Sequence, residues 1–222
     1  MEKEFFTEVF LMDSQLEKLK GCKSFAILGG TFDPVHTGHV EIAKSVLKQT
    51  GAEKILFIPS GNPPHKDERM VTDKYHRLNM LKMAVEGQKD FVVSTIEIDR
   101  EGKTYTIDTI RELRDIFGND VKFFFIMGAD ALHYIYMWKD FKELLGICSF
   151  AAVTRPGYRT AELEQDVDVL TNNYGGDIHI IEIPPVNVSS SEIRDNIKSG
   201  ISIKNMVNSK VYDYIIKNGL YE

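Results

Sequence analysis

The sequence has 222 residues, 43% of them hydrophobic, with 27 Lys or Arg against 33 Asp or Glu and a formal charge of −6. That length and apolar content suit one packed domain and exclude a disordered chain, while the acidic balance disfavours a general attraction to nucleic acid, so any phosphate recognition has to be local. Two cysteines, Cys22 and Cys148, stand far apart without a C-x-x-C spacing, which suits a reduced, cytoplasmic protein and offers no metal cage.

Residues 1–21 read as an extension, and 22–222 as a single domain. Glu2, Glu4, Glu8 and Asp13 surround the short patch Val9-Phe10-Leu11-Met12, which lacks the basic start and apolar length of a signal peptide. No stretch is long enough to cross a bilayer. Phe6, Val9, Phe10 and Leu16 recur at helical spacing, so the extension is expected to add a helix outside the first strand.

The run Phe25-Ala26-Ile27-Leu28 predicts a strand, and Val40, Ala43, Val46 and Leu47 predict the helix that follows it. Between them lies Gly29-Gly30-Thr31-Phe32-Asp33-Pro34-Val35-His36-Thr37-Gly38-His39. Paired glycines let the backbone approach a ligand, and a helix start presents unpaired N–H groups with a positive dipole end, so an anion is the natural guest. His36 and His39, three residues apart, are directed at the same pocket if the helix has begun by His36.

Gly51 ends that helix, and Lys54 to Ile58 reads as a buried strand. Pro59-Ser60-Gly61-Asn62-Pro63-Pro64-His65-Lys66 then forms a loop, because its prolines remove donors and fix backbone angles. At a strand's C-terminal end it shares the ligand-bearing edge with the histidines. Tyr75 to Val85 reads as a helix with His76 and Arg77 on its surface, Phe91 to Val93 as a strand, and the alternation of Ile96 and Ile98 with Glu97 and Asp99 as a half-exposed strand. Gly102-Lys103-Thr104 lacks the first glycine of a phosphate-binding P-loop, which excludes a Walker-type ATPase.

Thr106 is expected to cap a helix carrying Ile107, Ile110, Leu113 and Phe117. Val121 to Met127 is the most apolar strand, ended by Gly128-Ala129-Asp130, where a carboxylate is placed to accept ribose hydroxyls. Trp138, the lone tryptophan, reads by default as a packing residue that is also able to stack on an aromatic guest. Phe150 to Val153 gives another strand, before Thr154-Arg155-Pro156-Gly157-Tyr158. A helix through Leu163, Val167 and Leu170 and a strand from Ile178 to Ile183 follow. Ser189 and Glu192 spell a capping box, and Ser191 and Arg194 share one face at the start of that helix, a second phosphate receptor. Val211, Tyr212, Ile215 and Ile216 close the core with a last helix.

The first stretch resembles the H-x-G-H signature of the nucleotidylyltransferase superfamily, and its doubled glycine followed by Thr-Phe-Asp-Pro-Val-His is most similar to the nicotinate-nucleotide adenylyltransferase family. The Pro63-Pro64-His65-Lys66 loop, Thr104 to Thr109, Met127 to Asp130 with Trp138, Arg155 to Tyr158 and Val188 to Arg194 resemble further segments of that family, with Val188 and Ser191 mild departures. The resemblance implies ATP at Gly29, Gly30, Thr31, Phe32, His36, His39, Gly128, Asp130, Ser190, Ser191 and Arg194, with His36, His39 and Arg194 catalytic. It implies the mononucleotide at Asp33, Asn62, His65, Lys66, Tyr105, Thr106, Trp138 and Arg155, the nicotinate carboxylate being received by backbone N–H groups near Tyr105 and Thr106.

Repeated strand–helix units indicate an α/β fold with an open, mostly parallel sheet and helices on both faces, and the resemblance from Ser24 to Lys198 makes it Rossmann-like. The implied reaction moves AMP from ATP to nicotinate mononucleotide, with Mg²⁺ carried on the triphosphate rather than in a protein cage. Nucleic acid and membrane are not expected as partners, and a homo-oligomer is left open. The alternatives are a nicotinamide-mononucleotide or pantetheine-phosphate adenylyltransferase and, from another class, a non-catalytic nucleotide-binding protein.

Overall fold

The computed structural model describes residues 13–63, 71–157 and 160–222. Within them six strands, β1 (Ser24–Gly30), β2 (Lys54–Pro59), β3 (Phe91–Val93), β4 (Lys122–Gly128), β5 (Ser149–Thr154) and β6 (Ile178–Glu182), form one sheet ordered β3-β2-β1-β4-β5-β6. Every pairing is parallel. The strands are short apolar runs because both faces are covered, and a parallel ladder needs a crossover element between neighbours. Those crossovers include α1 (Thr37–Thr50), α2 (Lys74–Val85), α3 (Thr106–Phe117), α4 (Phe141–Ile147) and α5 (Ala161–Tyr174), with α6 (Ser190–Lys198) and α7 (Ser209–Lys217) after β6.

Alternation along β1 divides the core in two. Ala26 and Leu28 pack with Ala43 and Val46 of α1, Ile193 of α6 and Val211 of α7. Phe25 and Ile27 face the other way, onto Ile110 of α3, Leu144 of α4 and Leu170 of α5. The open, Rossmann-like sheet with helices on both faces is therefore as expected, and parallel throughout. β1 lies between β2 and β4, so the strand order reverses there and opens a crevice beyond the strand ends.

Three local expectations are corrected. Thr95 to Arg100 is a series of turns, not a strand: Asp99 N–H donates to the Thr95 carbonyl at 2.9 Å, and both Ile96 and Ile98 are buried. Thr106 does not cap α3; Tyr105 holds the cap position in an extended conformation without a side-chain bond, and Thr106 is the first helical residue. Arg77 is not on the surface, with only 1% of its area exposed, because the loops around the site close over it. Of the extension, Leu16–Leu19 forms a 3-10 helix whose Leu16 and Leu19 are buried in the second core; the helix expected through Phe6 and Phe10 lies outside the described residues. No helix among the described residues is long and apolar enough to cross a membrane.

Candidate active site

The glycine turn leaves β1 and passes through Phe32, whose φ of 51° lies in the left-handed region and turns its ring inward against His39 at 4.9 Å. α1 begins at Thr37, one residue later than two side chains on a shared helical face would need: His36 is its cap and His39 its third residue. The rings still meet, at 3.7 Å between centroids, and the His36 N–H donates to Nδ1 of His39 at 3.2 Å. A Cβ on Gly38 would collide with Val186 and sit 2.9 Å from the His36 ring, so only glycine lets the chain pass there.

Both imidazoles are neutral in this arrangement. Burial lowers His36 to about 4, and burial together with the neighbouring His36 lowers His39 to about 3. Nδ1 of His36 is buried without a partner. An orphaned polar atom of this kind has a desolvation cost that an incoming ligand relieves. Part of the α1 start is already satisfied, since Thr37 donates both its N–H and its hydroxyl to the Met206 carbonyl at 3.0 and 3.2 Å.

The start of α6 docks on the same turn. Ser189 caps it by accepting the Glu192 N–H at 3.1 Å. The Ser190 hydroxyl donates to the Pro34 carbonyl at 2.9 Å, and Arg194 donates to the Asp33 carbonyl at 2.7 Å and to the Ser191 hydroxyl at 3.2 Å. The signature turn and α6 are thus joined directly, although 156 residues separate Pro34 from Ser190. Beside them a cavity of about 360 Å³ is bordered by Gly29, His36, His39, Gly128 and Arg155.

A second cavity, about 290 Å³, opens on the opposite side of Gly29 and Gly30 and is bordered by Ser60, Glu97, Thr106 and Trp138. Trp138 touches Phe125 edge-on at 5.8 Å and also borders a further cavity with Tyr105 and Thr106, so it packs and lines at once. Asn62 connects the β2 loop to this region by accepting the Thr104 N–H at 3.0 Å. Gly61 is required for that approach, since a Cβ would run into the Glu97 carbonyl. Asp130 borders a neighbouring cavity of about 490 Å³ with His133 and Asp166 that shares Arg155 with the histidine crevice, and its carboxylate lies against Gly128 of that crevice. The carbonyl of Thr31 and the carboxylate of Asp33 are turned to other protein groups, Arg77 and Tyr221. His65 and Lys66 lie outside the described residues.

Residues 27–196 match the family model described as cytidylyltransferase-like. The chain is 38% identical over 200 residues to the nicotinate-nucleotide adenylyltransferase of Bacillus subtilis (strain 168), covering 90% of this chain and 99% of that one. It is 44% identical over 196 residues to a protein of Thermoanaerobacter sp. (strain X514) named probable nicotinate-nucleotide adenylyltransferase, covering 88% and 93%. The chain belongs to the cytidylyltransferase-like family and, within it, to the nicotinate-nucleotide adenylyltransferases. The fold is also that of Plasmodium falciparum nicotinic acid mononucleotide adenylyltransferase complexed with NaAD, with a TM-score of 0.72, 22% identity and coverage of 90% of this chain and 97% of that one.

Three groups around these cavities and the signature turn, of which Arg77 is fully buried, carried no sequence signal of their own. Arg77 binds four backbone carbonyls, Glu97 accepts the Thr109 hydroxyl at 2.7 Å, and Tyr221 donates to Asp33. Each stands outside the glycine and serine signatures, and its role exists only once distant segments meet.

Proposed function

We propose that the chain transfers AMP from ATP to the 5′-phosphate of nicotinate mononucleotide, releasing pyrophosphate and forming deamido-NAD in NAD biosynthesis. The observation that carries this reading is the docking of the α6 start onto the turn before α1, where Arg194 and Ser190 donate to the Asp33 and Pro34 carbonyls, while His36 and His39 border one cavity at that turn and Trp138 borders another at Gly29. The activity named for the Bacillus subtilis relative supports it.

The acceptor phosphate is itself the nucleophile. An oxygen of the mononucleotide phosphate attacks the α-phosphorus of ATP as the bond to pyrophosphate breaks, so the protein has to align two anions and stabilise charge on the leaving group. In this reading Arg194 forks across two phosphate oxygens, and His36 and His39 donate N–H groups and regain basicity as the anion arrives. Glycines 29, 30 and 128 let the nucleotide lie close to the strand ends. Trp138 stacks on the pyridine ring, while first-turn N–H groups of α3 receive its carboxylate. Mg²⁺ enters with the triphosphate as part of the substrate.

The test is pyrophosphate release on mixing the protein with MgATP and, separately, nicotinate mononucleotide, nicotinamide mononucleotide or phosphopantetheine. Fastest release is expected with the first. Faster release with phosphopantetheine, or none with any acceptor, would overturn the reading.

A further inference from the structure

Beyond α7 the chain folds back onto the signature turn. Tyr221 adopts a φ of 71°, a left-handed conformation that a residue with a Cβ keeps only where its surroundings hold it. Its ring packs against the first core, and its hydroxyl donates to Oδ1 of Asp33 at 2.7 Å. The other Asp33 oxygen accepts the Thr72 N–H at 3.3 Å, and Asp33 is only 5% exposed. One residue thereby carries two duties. The carboxylate of Asp33 is held by Tyr221 and Thr72, while its carbonyl, with that of Pro34, is the surface on which Arg194 and Ser190 are set.

We propose that Tyr221 is a positioning residue for the phosphate site: by holding the Asp33 carboxylate, its hydroxyl fixes the carbonyls that aim Arg194 and Ser190, without touching substrate. The inference rests on the proposed adenylyl transfer in assigning Arg194, Ser190 and the adjoining crevice to ATP. Three observations carry it beyond a packing role. The bond joins segments 188 residues apart, it ends on a buried carboxylate rather than on solvent, and the next covalent unit of that carboxylate's residue accepts the guanidinium of the phosphate-binding arginine. Burial and the adjacent Asp33 charge raise the phenol above its ordinary range, so it stays a donor throughout the neutral range.

Tyr221→Phe keeps the ring and removes only the hydroxyl. Loss of one hydrogen bond to a charged group predicts an ATP dissociation constant, measured by calorimetry, roughly tenfold weaker, with the KM for the mononucleotide moved much less. The same substitution in an Asp33→Ala background is expected to have almost no further effect on ATP binding, because the partner is already gone. A circular-dichroism melt of each variant establishes that it is folded at the assay temperature. Unchanged ATP affinity in Tyr221→Phe, an equal loss in the Asp33→Ala background, or equal changes for ATP and mononucleotide would each overturn the proposal. Wild-type ATP binding without turnover of nicotinate mononucleotide would instead count against the reaction assigned above and leave the Tyr221 comparison intact.

Discussion

The proposed transfer assigns His39 the largest share of the chemistry. It follows His36 into the first turn of α1, its ring packed at a tilt against that of His36 and meeting Phe32 edge-on, and its Nδ1 accepts the His36 N–H, which leaves Nε2 to donate. His39→Ala is expected to lower kcat about a hundredfold or more at saturating ATP while leaving the fold intact, on the scale of a lost preorganised donor; a near-normal kcat would remove it from that role. The pair also predicts how stability depends on pH. Folded values of about 4 and 3 lie below the ordinary 6.5, so the unfolded chain binds more protons between these limits. Stability is therefore full above about pH 6.5 and declines as pH falls toward 4, at about 1.4 kcal/mol per unit for each ring. Urea midpoints at pH 7 and 4.5 should show that decline in wild type and a flatter response in His36→Asn/His39→Asn. A wild-type decline no steeper than the variant's would mean that the rings are not held neutral.

At the scale of elements, the loops around the site hang on Arg77 near the start of α2. Its guanidinium donates to the carbonyls of Thr72, Thr31 and Ser60 at 2.9, 2.7 and 2.8 Å and to Gly61 at 3.3 Å, tying the signature turn to the β2 loop. Arg77→Met fills similar volume but leaves those acceptors unmet, and should cost about 3–5 kcal/mol in chemical denaturation, where a surface arginine would cost less than about 0.5 kcal/mol. The elements themselves were legible wherever apolar spacing alone decides them, as in β1 with α1 or β4. Thr95 to Arg100 was not, because alternating isoleucine and acid fits a half-exposed strand as well as a turn that sends both isoleucines inward. Arg77 defied the same kind of reading: arginine at a helix start belongs to the surface by default, and only the convergence of four carbonyls reverses that preference. The Ser189 cap and the joint facing of Ser191 and Arg194 were legible, since both are contacts within a single helical turn.

For the whole molecule, the strand order β3-β2-β1-β4-β5-β6 explains why segments far apart in sequence meet at one edge: β1 sits at the reversal, and its Gly29 borders both the histidine crevice and the Trp138 cavity. The sequence made the two halves visible as separate signatures. What it did not reveal is that the segment after α7 returns to the first of them through Tyr221, a long-range contact with no local pattern. The proposed reaction assigns the phosphates to the histidine crevice and the pyridine ring to the Trp138 cavity. Stacking on Trp138 serves nicotinate and nicotinamide rings nearly equally, whereas backbone donors at the start of α3 favour the carboxylate over an amide. Trp138→Ala should therefore weaken both mononucleotides and leave their kcat/KM ratio little changed.

The most direct test of the proposed reaction is a competition. The wild-type protein is given MgATP with equal concentrations of nicotinate and nicotinamide mononucleotide, and the two dinucleotides are quantified by mass while little substrate is consumed. Mismatched buried polar contacts cost about 1–3 kcal/mol each, so several of them predict deamido-NAD over NAD by a factor on the order of a hundred. Equal amounts, or an excess of NAD, would contradict the assignment of the α3 start to a carboxylate and with it the substrate proposed for this site.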